Sequence, residues 1–355
     1  MALLEMTLHS PIPTNIITGF LGVGKTTTIL NLLKQKPSNE KWAVLVNEFG
    51  EIGLDGALIA SQGTESNQVF IREIPGGCMC CASGLPMQIA LNMLIMKAKP
   101  DRLLIEPTGL GHPKEVLNVL NGEHYKDVLC INSSITLVDA RNFSSSKHLE
   151  NETFQQQLDV ADLLVVNKSD LATEQDIERF KAYLAEHEHL CAKPVLQIQH
   201  GKLDIAHLQQ NQTHFMAKNA ASDHHHHEHS HAKHSSNIDG SEPAIPACGF
   251  LVKTHTEGAF TSVGWRINDK KQFVLSELLA WMNTLNASRI KALVHCEKGY
   301  VSFNISPDDD ANQLKDADVQ VVKKPTASEN RLEVIFQDQH ISEKKVDEWT
   351  QYLCR

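Results

Sequence analysis

The sequence lacks a hydrophobic run long enough to cross a membrane. No apolar stretch approaches the roughly 20 residues that a membrane-spanning helix needs. The first six residues, Met-Ala-Leu-Leu-Glu-Met, contain an acid and no basic segment, so we expect no secretory signal peptide. Both absences predict a cytoplasmic protein with no membrane partner.

Basic residues are also fewer than acidic residues in this sequence. The chain has 33 Lys and Arg residues against 43 Asp and Glu residues, which gives a formal net charge of −10. A nucleic-acid-binding protein neutralises phosphates with a basic surface, so this balance predicts no nucleic-acid partner. The same balance is compatible with the binding of cations.

An even spacing of cysteines, as in a disulfide framework, is missing as well. Three of the eight cysteines fall within residues 78–81, and the other five are scattered. A chain of 355 residues can bury a large hydrophobic core and does not need disulfides for stability. Clustered thiols in a reducing compartment are typical of metal ligands or redox groups.

Residues 19–27, Gly-Phe-Leu-Gly-Val-Gly-Lys-Thr-Thr, match the phosphate-binding pattern G-x-x-x-x-G-K-[ST]. An apolar run at 14–18 precedes the match and a helix-like run at 27–36 follows it, which is the strand–turn–helix context that a phosphate site requires. Lys25 is expected to reach the β- and γ-phosphates, and the Thr26 hydroxyl to bind Mg²⁺. The predicted nucleotide-binding residues of this loop are Gly22, Val23, Gly24, Lys25, Thr26 and Thr27.

Residues 1–213 are predicted to form a P-loop domain with a doubly wound, mainly parallel sheet. Apolar strand-like runs alternate with helical runs, and near-continuous apolar strands are typical of a sheet that is buried on both faces. We expect strands at 14–18, 42–47, 69–74, 102–106, 135–139, 162–167 and 195–199. We expect helices at 27–36, 85–97, 113–120 and 174–186.

Residues 214–247 differ in composition from the rest of the chain, and residues 248–355 resume a structured pattern. The intervening segment is polar and cannot bury apolar area, so it is predicted to be a mobile linker. The last part is predicted to be a smaller α+β domain with helices on one side of its sheet. Its expected strands lie at 249–255, 290–295, 300–305 and 331–336, and its expected helices at 272–285 and 342–353.

The sequence Asn167-Lys-Ser-Asp170 directly follows a buried strand and is typical of a guanine-reading loop. The carboxylate of Asp170 can accept hydrogen bonds from the N1–H and 2-amino groups of guanine, a donor pair that adenine lacks. Asn167 is expected to support the loop, and the stem of Lys168 to lie along the base. A site built around such hydrogen bonds rejects a ligand that lacks the partner groups. We therefore expect GTP rather than ATP.

Two further segments provide acids near the phosphates. The strand at 102–106 ends in Glu106, expected near Mg²⁺, and is followed by Gly109, whose N–H can approach the γ-phosphate. Between this strand and the phosphate loop, residues 47–55 are rich in glycine and acid, as a switch loop would be. There, Glu48 is our candidate catalytic acid and Glu51 our candidate metal ligand, with Asp55 as a further candidate.

The sequence Cys78-Met-Cys80-Cys81 is flanked by glycines and predicts a metal site. Thiolates prefer soft or borderline ions such as Zn²⁺, Cu⁺ and sometimes Co²⁺. Three thiolates leave one tetrahedral position for a carboxylate, a histidine or an incoming protein thiol. Buried structural cysteines or a redox pair are the alternatives. A second candidate for weak metal capture is the run at 223–234, which holds seven histidines; a solvated linker is its alternative.

These motifs together resemble the CobW-type family of P-loop GTPases, and most closely its YeiR-like zinc-binding branch. The resemblance rests on Gly19–Thr27, on the segments 42–51, 73–81 and 103–113, and on Asn167–Asp170. It implies GTP hydrolysis linked to zinc and a role as a metal chaperone or insertase for a client metalloprotein, with the three cysteines as zinc thiolates.

One position departs from the family pattern. Some relatives carry a glutamate immediately before Asn-Glu-Phe-Gly, where this chain has Val46. The carboxylate that completes the metal site is therefore open, with Glu51 or a C-terminal histidine as candidates.

The sequence thus predicts a cytoplasmic, Mg²⁺-dependent GTPase that couples GTP and GDP binding to zinc handling. Lys25, Thr26, Glu106 and Glu48 are its predicted catalytic residues. The alternatives are a zinc-buffering protein gated by nucleotide, a chaperone for cobalt, nickel or a cobalamin-related site, and a small-molecule kinase. The sequence is compatible with a homo-oligomer.

Overall fold

The computed structural model describes residues 10–46, 68–74, 85–209, 244–257, 259–305, 319–322, 329–337 and 339–354. Residues 10–209 form what we name the first domain, and residues 244–354 what we name the second domain.

A parallel sheet of eight strands forms the centre of the first domain. The order across it is β3-β2-β4-β1-β6-β7-β8, and β5 pairs with the beginning of β1. All its strand pairs are parallel, so the carboxyl ends of the strands share one edge. Its strands are β1 (Ile12–Gly19), β2 (Trp42–Val46), β3 (Val69–Glu73), β4 (Arg102–Glu106), β5 (Leu129–Ile131), β6 (Ile135–Asp139), β7 (Leu163–Asn167) and β8 (Val195–Gln197).

Both faces of this sheet are buried. Val44 and Leu45 are neighbours in β2, yet they belong to two different hydrophobic clusters on opposite faces. This burial explains why the strands have near-continuous apolar sequences. The helices that cover the faces are α1 (Lys25–Lys34), α2 (Leu85–Ala98), α3 (Pro113–Leu120), α4 (Ser146–Leu149), α5 (Glu152–Val160), α6 (Glu174–Glu186) and α7 (Glu188–Cys191).

The second domain is an antiparallel sheet of six strands, in the order β13-β12-β11-β14-β10-β9. Two helices, α8 (Leu275–Met282) and α9 (Glu343–Cys354), join it in a single hydrophobic cluster. The indole Nε1 of Trp265 in the sheet donates to Thr350 Oγ1 on α9 at 2.8 Å. Its strands are β9 (Phe250–Glu257), β10 (Phe260–Asn268), β11 (Arg289–Cys296), β12 (Gly299–Ile305), β13 (Gln320–Val322) and β14 (Glu329–Gln337).

The sheet face opposite these helices packs against the first domain. Phe260 and Ile335 from this face belong to the same hydrophobic cluster as Phe20, which lies in the phosphate-binding loop. The rings of Phe20 and Phe260 meet edge to face, with centroids 6.0 Å apart. The second domain therefore contacts the phosphate-binding loop directly.

The doubly wound parallel sheet and the smaller α+β domain predicted from the sequence are confirmed, with shifts at some boundaries. The helix predicted at 27–36 spans Lys25–Lys34. It ends before Lys36, because the residue that precedes a proline, here Pro37, is disfavoured in helical conformation. The strand predicted at 195–199 ends at Gln197. The structure adds elements that were not predicted: β5, β10, β13, α4, α5 and α7.

Candidate nucleotide-binding site

The phosphate-binding loop follows β1, at the point where the strand order of the sheet reverses. β1 pairs with β4 on one side and with β6 on the other, which is where doubly wound sheets bind their ligands. Gly22 and Gly24 have φ angles of 79° and 97°, a left-handed conformation that glycine adopts without steric cost. The loop turns tightly from β1 into α1, in the strand–turn–helix arrangement that the sequence predicts.

The first turn of α1 offers backbone N–H groups to an anion. Gly24 caps the helix without a side-chain hydrogen bond, and the first turn contains no acid. The first N–H groups of a helix have no acceptor within it, so they can bind phosphate oxygens. The ammonium of Lys25 donates to the carbonyl oxygens of Gly19 at 2.9 Å and Phe20 at 3.1 Å. A buried cation is thus held within the loop itself.

Thr26 and Glu106 place a hydroxyl and a carboxylate side by side. Thr26 Oγ1 donates to Glu106 Oε1 at 3.0 Å, and the two residues are 4% and 2% exposed. The contact forms because Glu106 ends β4, the strand next to β1. Oxygen ligands of this kind are those that Mg²⁺ prefers, so the pair fits a magnesium ion at the phosphates.

Gly109 lies against the ammonium of Lys25. A Cβ added to Gly109 would sit 3.0 Å from Lys25 Nζ and 2.8 Å from Leu21 Cδ2. The carbonyl oxygen of Gly109 accepts a hydrogen bond from Gln157 Nε2 at 3.0 Å. Gln157 lies on α5 and was not predicted from the sequence. This bond anchors the backbone at Gly109, which lies against Leu21 and Lys25 of the phosphate-binding loop.

Asn167 joins the phosphate-binding loop to the loop that follows β8. Its Nδ2 donates to the carbonyl oxygen of Val23 at 2.9 Å, and its Oδ1 accepts from the N–H of Gly201 at 3.0 Å. Gly201 has a φ of 67°, and a Cβ there would lie 2.9 Å from the backbone nitrogen of Thr28. This loop was not predicted from the sequence, where a glycine shortly after the last strand was the available signal.

Lys168 and Asp170 follow Asn167 in a turn. Lys168 has a φ of 58°, and its Nζ lies 3.9 Å from Asp139 Oδ2. Asp139 is also bound by the guanidinium of Arg141, with Nη2 donating at 2.6 Å. The Asp170 carboxylate lies 3.9 Å from His200 Nε2, and its side chain is 27% exposed. A carboxylate at this turn can therefore accept hydrogen bonds from a ligand.

One cleft of about 630 Å³ reaches from the start of α1 to the turn after β7, and its lining includes Gly24, Thr26, Thr27, Asn167, Lys168 and Asp170. Other predicted residues lie outside the described residues, so the structure places none of them: Glu48, Glu51, Asp55, Cys78, Cys80, Cys81 and the histidine run at 223–234. Within the described ranges, no three His, Cys, Asp or Glu residues are grouped to hold a metal ion. Nor is any helix of those ranges long and apolar enough to cross a membrane.

Comparisons with known proteins point to one family. A family model described as the CobW/HypB/UreG nucleotide-binding domain matches residues 13–193. The zinc chaperone YeiR of Escherichia coli (strain K12) is 38% identical over 309 residues, which span 83% of this chain and 87% of that protein. The zinc chaperone YjiA of Escherichia coli (strain K12) is 32% identical over 206 residues, spanning 55% of this chain and 60% of that protein. A solved structure of the Zn(II)-bound YjiA GTPase from E. coli is 20% identical and covers 97% of this chain and 99% of that chain, with a TM-score of 0.41.

Proposed function

This chain belongs to the CobW/HypB/UreG nucleotide-binding family, and we propose that it is a GTPase whose turnover is linked to zinc. Zinc is the cargo in this proposal, bound by the protein and passed to a client metalloprotein.

The observation that carries the GTPase assignment is the convergence of four residues at the amino end of α1. Lys25 is held inside the loop, Thr26 contacts Glu106, and Gly109 lies against the Lys25 ammonium. Phosphoryl transfer depends mainly on positioning and on stabilisation of negative charge. When bound, Mg²⁺ supplies positive charge at the phosphate oxygens. Lys25 and the first N–H groups of α1 add charge and hydrogen bonds from the protein.

The base side of the cleft supports guanosine as the ligand. Asn167 binds both the phosphate-binding loop and the loop at Gly201, which fixes the turn that carries Asp170. A carboxylate in this position accepts from the two donors on the guanine edge and finds no such pair on adenine. We assign Asp170 to base recognition, and Asn167 and Lys168 to its support.

The assignment to zinc rests on the chemistry of the three cysteines. Both curated relatives described above are named zinc chaperones. Cys78, Cys80 and Cys81 follow β3 in sequence, and β3 ends at the same edge of the sheet as β1 and β4. Three thiolates suit zinc and leave one coordination position for exchange with a client. Val46 pairs with Glu106 in register, and its hydrocarbon side chain is fully buried and has no atom that could bind a metal ion.

The test is the rate of GTP hydrolysis by the full chain with Mg²⁺, measured with zinc and with a zinc chelator. We expect slow turnover that changes with zinc and is lost in Lys25→Ala. A variant with serine at positions 78, 80 and 81 should still hydrolyse GTP but lose the response to zinc. A turnover that is the same with and without zinc in the wild-type protein would overturn the coupling and favour a zinc buffer. Retained turnover in Lys25→Ala would overturn the assigned GTPase site.

A further inference from the structure

The cleft that holds the nucleotide motifs has a second wall, and that wall comes from the second domain. One side of the cleft is formed by Thr26, Asn167 and Asp170 of the first domain. The facing side is formed by Ser302, Asn304 and Gln320, from β12 and β13 at one edge of the second-domain sheet. None of these three residues belongs to a nucleotide-binding motif of the sequence.

The strand geometry explains why these residues face the cleft. Side chains alternate between the two faces of a strand, and Val301 and Phe303 point into the hydrophobic cluster shared with the helices. Ser302 and Asn304 therefore point to the opposite face. Gln320 pairs with Ser302 in antiparallel register and so lies on that same face.

This face is fixed against the first domain close to the phosphate-binding loop. Phe260 and Ile335 lie on it and pack in the cluster that contains Phe20. Arg289 lines a smaller cavity of about 130 Å³ together with Gly22 and other residues of that loop. The wall is thus held next to the loop by the packing of Phe260 and Ile335 against Phe20.

Asn304 carries hydrogen-bonding groups suited to a nucleoside. Its Oδ1 accepts from Arg289 Nε at 3.0 Å, which orients the amide, and its Nδ2 donates to no described residue. Asn304 and Gln320 are both exposed to the cleft rather than buried in the domain contact. Primary amides offer donors and acceptors that match the hydroxyl groups of a ribose and the polar edge of a base.

We propose that the β12–β13 edge of the second domain forms part of the guanosine site, with Asn304 and Gln320 as hydrogen-bonding residues for the nucleoside. This inference rests on the proposed GTP binding and adds the second domain to nucleotide recognition. It follows that the second domain and the nucleotide stabilise each other, because a ligand that contacts both domains favours their docked arrangement.

The test is the affinity of the full chain for GDP and GTP, measured by competition with a fluorescent GDP. Asn304→Ala and Gln320→Ala should each weaken binding about 2- to 10-fold, the usual effect of one neutral hydrogen bond. Both nucleotides should weaken by the same factor, since guanosine is common to them. In turnover experiments KM for GTP should rise and kcat should stay unchanged, because the contact is the same in the ground and transition states.

The matched control is Val321→Ala. Val321 follows Gln320 in β13, but its side chain lies on the opposite face of the strand. Val321 is 70% exposed. This variant should bind GDP as the wild-type protein does. A second measurement uses only the wild-type protein. Binding of GDP should slow the hydrogen exchange of the backbone amides in β12, residues 299–305.

Wild-type affinities in both Asn304→Ala and Gln320→Ala, with no protection of β12 by GDP, would overturn the inference and leave the proposed GTPase intact. Failure of the wild-type protein to bind any guanine nucleotide would overturn both. If Asn304→Ala lowers both the nucleotide affinity and the melting temperature, the affinity of Gln320→Ala decides the question. Gln320 is an exposed residue of an edge strand, so its substitution tests binding without disturbing a buried contact.

Discussion

Asn167 Nδ2 donates to the carbonyl oxygen of Val23 at 2.9 Å, so the turn that carries Asp170 is bonded directly to the phosphate-binding loop. The same side chain accepts from Gly201, and Asn167 is 3% exposed. A Cβ on Gly24 would lie 2.4 Å from this Nδ2, which leaves no room for any residue larger than glycine there. One buried amide thus fixes the turn at 167–170 against the phosphate-binding loop.

Asn167→Ala should weaken both GDP and GTP binding. Removing the amide breaks the two hydrogen bonds, of about 0.5–1.5 kcal/mol each, that hold the turn of Asp170 against the phosphate-binding loop, so a bound nucleotide must order these segments itself. We expect a loss of affinity of roughly 10-fold or more, measured by titration calorimetry. The matched control is Asn151→Ala, which removes the amide that accepts from Phe154 N–H at the start of α5. That variant should lose stability and keep its nucleotide affinity; the reverse pattern would contradict the account.

Gly109→Ala should slow GTP hydrolysis more than it destabilises the fold. The added methyl would press on Lys25 Nζ at 3.0 Å and on the backbone nitrogen of Leu21 at 3.0 Å, so the loop or the lysine must move. A displacement of about 1 Å at a reacting group can cost about 100-fold in rate, so we expect a loss of up to that factor. Phosphate release and thermal unfolding give the two readouts. Gly122→Ala, with a similar close approach to Val119 O at 3.1 Å but on another loop, should leave the rate unchanged.

Asp170→Asn should change the base preference from guanine to xanthine. The asparagine amide can donate to the 2-carbonyl oxygen of xanthine, whereas it presents the wrong group to the 2-amino donor of guanine. We expect competition by XDP to overtake competition by GDP in the variant. Asp204→Asn is the control, because Asp204 accepts from Ala206 N–H in the exposed loop after β8. An unchanged preference for GDP in Asp170→Asn would remove this residue from base recognition.

Glu106→Gln should raise the Mg²⁺ concentration needed for half-maximal turnover. The amide oxygen can still accept from the Thr26 hydroxyl, but the negative charge is lost, and interactions with charged groups contribute about 1.5–3 kcal/mol. That range corresponds to roughly a 10- to 100-fold rise. Asp162→Asn provides a second buried acid as control; Asp162 accepts from Ser134 N–H at the other end of the sheet. An unchanged Mg²⁺ dependence in Glu106→Gln would exclude a role near the ion.

Local motifs made much of the fold and site predictable from the sequence. The pattern around Lys25 fixes a strand, a tight turn and a helix within a few residues, so its geometry is encoded locally. The apolar runs of β2 and β7 predict buried parallel strands for the same reason. Thr26 and Glu106 were each predicted to lie near Mg²⁺, but the contact between them was not predicted. It depends on two strands that are distant in sequence lying side by side.

Residues brought in by tertiary packing were the ones that sequence reasoning missed. Gln157 reaches Gly109 from α5, a helix that was not predicted and that lacks a strong apolar pattern. Strand β10 contains Val263, Trp265 and Ile267 in alternation with Gly264 and Arg266, so a strand signal was available, although glycine is depleted in strands. The contact of Phe260 with Phe20 joins two domains, and no periodicity within either segment encodes it.

The most direct test of the zinc-linked GTPase is the affinity for zinc of the full chain loaded with a non-hydrolysable GTP analogue and then with GDP. The titration uses a competing chromophoric chelator and a variant in which the seven histidines at 223–234 are serine, so that weak capture there does not mask the thiolate site. In a zinc-linked GTPase the two affinities should differ by at least about 5-fold, a typical allosteric coupling. Equal zinc affinities in the two nucleotide states would contradict it, because a ligand with no differential binding shifts no equilibrium.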